Sequence, residues 1–95
     1  MAKQIVFHAM PSAIPVAQAE QVAKLAKTLS NADAYWVSSW NQLDDKGDIA
    51  KIMCEWDAKD AESLKKVLEQ MGKQIPNFPC DGPYPMSKVD GESYR

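Results

Sequence analysis

The stretch from Ala34 to Trp56 constrains the fold more than any other. "AYWVSSWNQL" and "DIAKIMCEW" are both rich in aromatic and β-branched residues, the composition of strands. Between them lies "DDKGD", in which Gly47 is free to take a positive φ. Two such runs around so short a turn predict an antiparallel hairpin over Ala34–Leu43 and Asp48–Trp56.

The flanks complete the order. "QIVFHAM", Gln4 to Met10, predicts a short strand closed by Pro11. From Pro15 to Asn31 the apolar positions Val16, Ala19, Val22, Ala23, Ala26 and Leu29 recur at helical spacing. Pro15 suits the start of that helix, where a missing N–H is not missed. After the hairpin, Ala61, Leu64, Leu68 and Met71 form a second helical stripe. Asp57 is the expected N-cap, with Asp60 three residues on, and Gly72 the expected stop. A proline-rich connection, "KQIPNFPCDGPYP", leads to a last short strand, Tyr84 to Val89. Pro85 cannot donate to a ladder, so this strand belongs at an edge. The tail from about residue 90 is polar.

The order β-α-β-β-α-β is the pattern of a ferredoxin-like α+β sandwich. Right-handed crossovers then give an antiparallel sheet in the order 4-1-3-2, with both helices on one face. With 95 residues the chain is expected to form one domain, 1–95. So small a domain has a thin stability margin, and its other sheet face has no helix to cover it. A homodimer joined through that face, forming a dimeric α+β barrel, is the expected assembly.

Charge excludes several partners. Eleven Lys+Arg against thirteen Asp+Glu leave a formal net charge of −2, with no block of either sign. Nucleic acid and anionic membrane surfaces are therefore not expected partners. No apolar run approaches the roughly 18 residues of a membrane span, and the N-terminus reads as a strand start, not a signal peptide. Cys54 and Cys80 are too few for a disulfide framework and read as reduced thiols of a cytoplasmic protein.

Alternation along the strands assigns faces. In the first strand Ile5, Phe7 and Ala9 form the more apolar set and are expected to meet the helices, leaving Val6, His8 and Met10 on the uncovered face. In the third, Ala50, Ile52, Cys54 and Trp56 are expected inside, and Ile49, Lys51, Met53 and Glu55 outside. His8 and Glu55 are thus expected to face the barrel together. Trp36 and Trp40, four residues apart, share a face on a regular strand. With Met53 they are the candidate walls of a ligand pocket. Cys54 is a metal ligand or reactive thiol on one reading and a small buried hydrophobe on the other. The neutral imidazole of His8 suits nickel, zinc or copper. Glu55 is a ligand, a general base or an exposed charge, and Cys80 either approaches the barrel mouth or is a bystander in its loop.

The element order, "CEWDAKDAESLKK" and the helix-ending Gly72 resemble the small DUF4242-type proteins of the dimeric α+β barrel class. The residues that match the family pattern are Trp36, Ser39, Cys54, Asp57 and Ala58; "FHAMP" and the long "PNFPCDGPYP" loop depart from it. The family includes a nickel-binding member, so the resemblance implies a nickel-type ion, with His8, Glu55 and Cys54 as candidate ligands. The expected function is non-enzymatic binding of that metal or of a small ligand inside the barrel. The alternative is a cofactor-independent monooxygenase or isomerase acting on a small aromatic or polyketide-like substrate. In it His8 or Glu55 moves the proton.

Overall fold

The computed structural model describes residues 1–94. Strand β1 spans Ala2–Ile14, helix α1 Val16–Leu29, strand β2 Ala34–Leu43, strand β3 Ile49–Ala58, helix α2 Ala61–Gln74 and strand β4 Asp81–Met86. A short 3-10 turn follows at Gly91–Tyr94.

The β2–β3 hairpin closes as its turn residues dictate. The Asp44 carboxylate accepts from the backbone N–H of Lys46 at 2.9 Å and of Asp48 at 3.0 Å. Gly47 takes φ 81°, a conformation cheap only for glycine. All strand pairings are antiparallel and the sheet order is β2-β3-β1-β4, which read from the opposite edge is 4-1-3-2. The architecture is α+β and compatible with a ferredoxin-like fold. No helix among the described residues is long and apolar enough to cross a membrane.

The two helices touch each other and cover one sheet face, that of Val6, Ile52, Cys54 and Trp56. They do so unequally. Helix α2 buries Leu64, Val67, Leu68 and Met71, each large enough to contribute about 1.5–3 kcal/mol. Helix α1 buries only Ala19 and Ala26. Its small side chains cannot fill the space above the strands.

Four local expectations change. Strand β1 runs past Pro11 to Ile14, because a bulge between Ala9 and Ile14 removes that stretch from the ladder, where a proline needs no partner for its nitrogen. The N-cap of α2 is Asp60, not Asp57: its carboxylate accepts from the Ser63 N–H and hydroxyl, both at 2.8 Å. Asp57 is still in β3, opposite Lys3. Gly72 lies inside α2, which continues to Gln74. Strand β4 begins at Asp81 rather than Tyr84, and it does occupy an edge.

Candidate ligand-binding site

Register decides which side chains meet. On β1 and β3, Gln4 pairs with Trp56, Val6 with Cys54 and His8 with Ile52. All six are buried and share the helix-covered face. The expected β1 faces are therefore reversed. Ile5, Phe7 and Ala9 point to the uncovered side with Lys51, Met53 and Glu55, and His8 lies inside with Cys54. Counting apolar residues misleads here because the buried face of β1 carries the polar Gln4 and His8, and the uncovered face is the more apolar one.

A bulge between Trp36 and Ser38 breaks the alternation of β2. It puts Trp36 opposite Trp56 and Ser39 opposite Cys54, on the helix side, and Trp40 opposite Met53, on the uncovered side. Trp36 and Trp40 thus do not share a face. The expected pocket of Trp36, Trp40 and Met53 is split in two. Trp40 and Met53 line a shallow depression of about 270 Å³ with Phe7 and Lys51. Trp36 lines a larger cavity of about 380 Å³ between α1 and the sheet.

That larger cavity is where the polar chemistry gathers. Its roof is Val16, Ala19, Val22, Ala23 and Ala26 of α1, and its floor includes Trp36, Ile52 and Trp56. His8, Ser39, Asn41 and Cys54 also line it. A hydrogen-bonded chain crosses the floor. The Trp36 indole N–H donates to Ser39 Oγ at 2.9 Å, and the Ser39 hydroxyl donates to Cys54 Sγ at 3.1 Å. Burial pushes the Cys54 thiol up to about 11, against the Ser39 hydrogen bond that lowers it. Cys54 is accordingly a protonated, buried thiol at neutral pH.

His8 is 1% exposed and held from behind by the α2–β4 connection. Its ring stacks on Phe78 with centroids 4.4 Å apart. Nδ1 lies 2.8 Å from the Pro79 carbonyl oxygen, which can only accept, so the proton is on Nδ1. The lone pair of the neutral ring is then on Nε2. Burial holds the His8 pKa below its ordinary value, outweighing the Pro79 hydrogen bond that raises it. Cys80 Sγ sits 3.5 Å from the same Nδ1.

Glu55 lies on the opposite face of the sheet and is fully engaged there. Lys3 Nζ bridges Glu55 Oε2 at 2.7 Å and Asp57 Oδ1 at 2.6 Å. Lys88 stands 3.6 Å from Glu55, and the Ser38 hydroxyl donates to it at 3.3 Å. The Lys3 hydrogen bonds hold both carboxylates below their ordinary range. The sheet thus separates Glu55 from His8 and Cys54, so these three do not form one ligand set for nickel within a chain. No group of three or more His, Cys, Asp and Glu side chains converges among the described residues as metal ligands would.

Sequence reasoning missed the roof. The signal was the alanine stripe of α1, Ala19, Ala23 and Ala26, set over a sheet face that carries two tryptophans: small residues facing large ones leave a gap only if nothing else fills it. Known protein families, curated proteins and solved structures provide no match to this chain.

Proposed function

We propose that this protein binds a small organic ligand in the cavity between α1 and the sheet, without transforming it. The observation that carries this reading is the cavity itself. Its volume of about 380 Å³ falls in the range of small-molecule sites. It has apolar and aromatic walls and one imidazole nitrogen free to accept. The test is a fluorescence titration with 1-naphthol, read from the tryptophans. Saturable binding of one molecule per chain is expected, weakened at least tenfold by Ala23→Phe, which fills the cavity from the roof. No saturable binding, or binding indifferent to Ala23→Phe, overturns the reading.

A second reading keeps the same cavity and uses the free Nε2 of His8 as a proton acceptor from a bound carbon or oxygen acid. Glu55, the other expected proton-transfer group, lies outside it. Consumption of the bound compound, abolished in His8→Phe, would replace binding with catalysis.

The assembly we propose is a homodimer through the uncovered face, in the cytoplasm, where Cys54 and Cys80 stay reduced. Ile5, Phe7, Met53 and Trp40 project there, Trp40 with 69% of its surface exposed. A patch of that kind marks an interface. Sedimentation at micromolar concentration should give a dimer that Trp40→Lys dissociates; a stable wild-type monomer contradicts it.

A further inference from the structure

His8 is the most deeply buried of the titratable residues that line the cavity, and its ring is set to accept. The Nδ1 proton is committed to the Pro79 carbonyl and Phe78 stacks on the ring, so only Nε2 is left for a ligand. Two other polar atoms on this side of the sheet lack partners, the Gln4 amide oxygen and the Trp56 indole nitrogen. Both are sealed from water, and they belong to directly opposed residues of β1 and β3, one an acceptor and one a donor. They ask nothing of a ligand. His8 Nε2 is not sealed in this way, and no described side chain or backbone group bonds to it.

Register sets the depth at which that nitrogen lies. His8, Ile52 and Asn41 form one row across β1, β3 and β2. Strand β2 is an edge of the sheet, and the cavity residues exposed there are Val37 and Asn41, with Glu20 exposed on α1. At about 4.8 Å between strands, the floor runs roughly 10 Å from that open edge back to His8. A phenol with a short chain opposite its hydroxyl spans such a distance.

The lining between the two ends is apolar. Ile52 and Cys54 lie in the floor, the indoles of Trp36 and Trp56 extend it, and Ala19 and Ala23 stand above. A flat ring suits this slot. Charge is restricted as well. The lining contains no lysine or arginine, and its one acidic residue is Glu20 at the mouth. A ligand carboxylate would lose water there, find no counter-ion and meet a like charge.

Resting on the binding function above, we infer that the ligand is a para-substituted phenol without negative charge, held with its hydroxyl innermost. The hydroxyl donates to His8 Nε2, the ring lies between α1 and the floor, and the substituent points toward Glu20 and Asn41. A site that hydrogen-bonds a hydroxyl discriminates sharply against the analogue that cannot donate.

The probes are 4-ethylphenol, its methyl ether, 2-ethylphenol, and 3-(4-hydroxyphenyl)propanoate as the anion. Each is titrated at pH 7 by calorimetry into wild type, His8→Phe and Glu20→Gln. In wild type 4-ethylphenol should bind about tenfold or more tighter than its ether, which keeps the shape but has no proton to donate, and tighter than 2-ethylphenol and the anion. His8→Phe should erase the advantage over the ether. Glu20→Gln, an exposed change, should leave 4-ethylphenol binding as before and narrow its lead over the anion. The wild-type series decides alone if His8→Phe fails to fold. Equal affinities for 4-ethylphenol and its ether, an undiminished difference between them in folded His8→Phe, or tightest binding of the anion overturns this ligand class. Saturable binding of 1-naphthol then still leaves the cavity a binding site. Failure of every probe and of 1-naphthol alike removes the binding function itself.

Discussion

Cys54 should react far more slowly in the folded protein than in the same chain unfolded in urea. At pH 8 an ordinary thiol of pKa 9.0 is about one-tenth ionised, whereas one raised to about 11 is about one-thousandth ionised. Ionisation alone therefore slows alkylation about 100-fold, since the thiolate is the nucleophile. A more basic thiolate attacks faster, and a Brønsted slope of about 0.4–0.5 returns roughly six- to tenfold of that. About a tenfold deficit is left before access is considered, and at 5% exposure the residue is poorly accessible. The expected native rate is thus at least tenfold below the unfolded rate. The assay is iodoacetamide labelling at pH 8, with the Cys54 and Cys80 peptides quantified separately by mass spectrometry over time. Cys80, which is exposed, should label first in the folded protein. Native and unfolded rates within threefold of one another at Cys54, or labelling of Cys54 ahead of Cys80, would refute the placement of Cys54 beneath the helices.

Asp60→Ala should lower stability by as much as a lost helix cap costs, read from the urea midpoint, because its carboxylate caps α2; an unchanged midpoint would contradict that cap. Leu64→Ala should cost about 2–5 kcal/mol, since Leu64 is fully buried under well-packed neighbours. Ala23→Val should cost less than about 1.5 kcal/mol, because it grows into the cavity; a larger loss would mean the space is not there. His8 gives a pH dependence. Its folded pKa lies below the ordinary 6.5, so just below that pH the unfolded chain binds more protons than the folded one. Its contribution is complete above about pH 6.5 and declines as pH falls toward the folded pKa. Urea midpoints should drop from pH 7.5 to 5.5 in wild type and change much less in His8→Phe, while Glu55 and Asp57, held down by Lys3, enter only at lower pH.

The hairpin, the helices and the strand order were legible because periodicity and turn chemistry are local. The faces were not, for physical reasons attached to particular residues. In β1, Ile5 and Phe7 are as apolar as Val6, so apolarity could not say which side the helices cover. Polar His8 is tolerated inside because it gains the Pro79 carbonyl and a stacking partner in Phe78, 70 residues or more away in sequence, whereas the buried Gln4 amide oxygen has no partner among the described residues. In β2 the bulge after Trp36 has no glycine to announce it, and it alone separates Trp36 from Trp40. Asp57 and Asp60 are both reasonable caps. Lys3 decides between them by drawing Asp57 into the sheet, where no sequence-local rule would place it. Register, not spacing, likewise brings Ser39 and Cys54 together.

The three tryptophans make the central claim measurable in one spectrum. Trp36 and Trp56 line the cavity beneath α1, and Trp40 stands on the uncovered face. Each contributes one indole N–H signal to a nitrogen–proton correlation spectrum, assignable from single Trp→Phe variants. Titration with 1-naphthol should move the Trp36 and Trp56 signals together along one saturable curve and leave Trp40 in place. Movement of Trp40 alone, with Trp36 and Trp56 unchanged, would put ligand binding on the other side of the sheet and contradict the account.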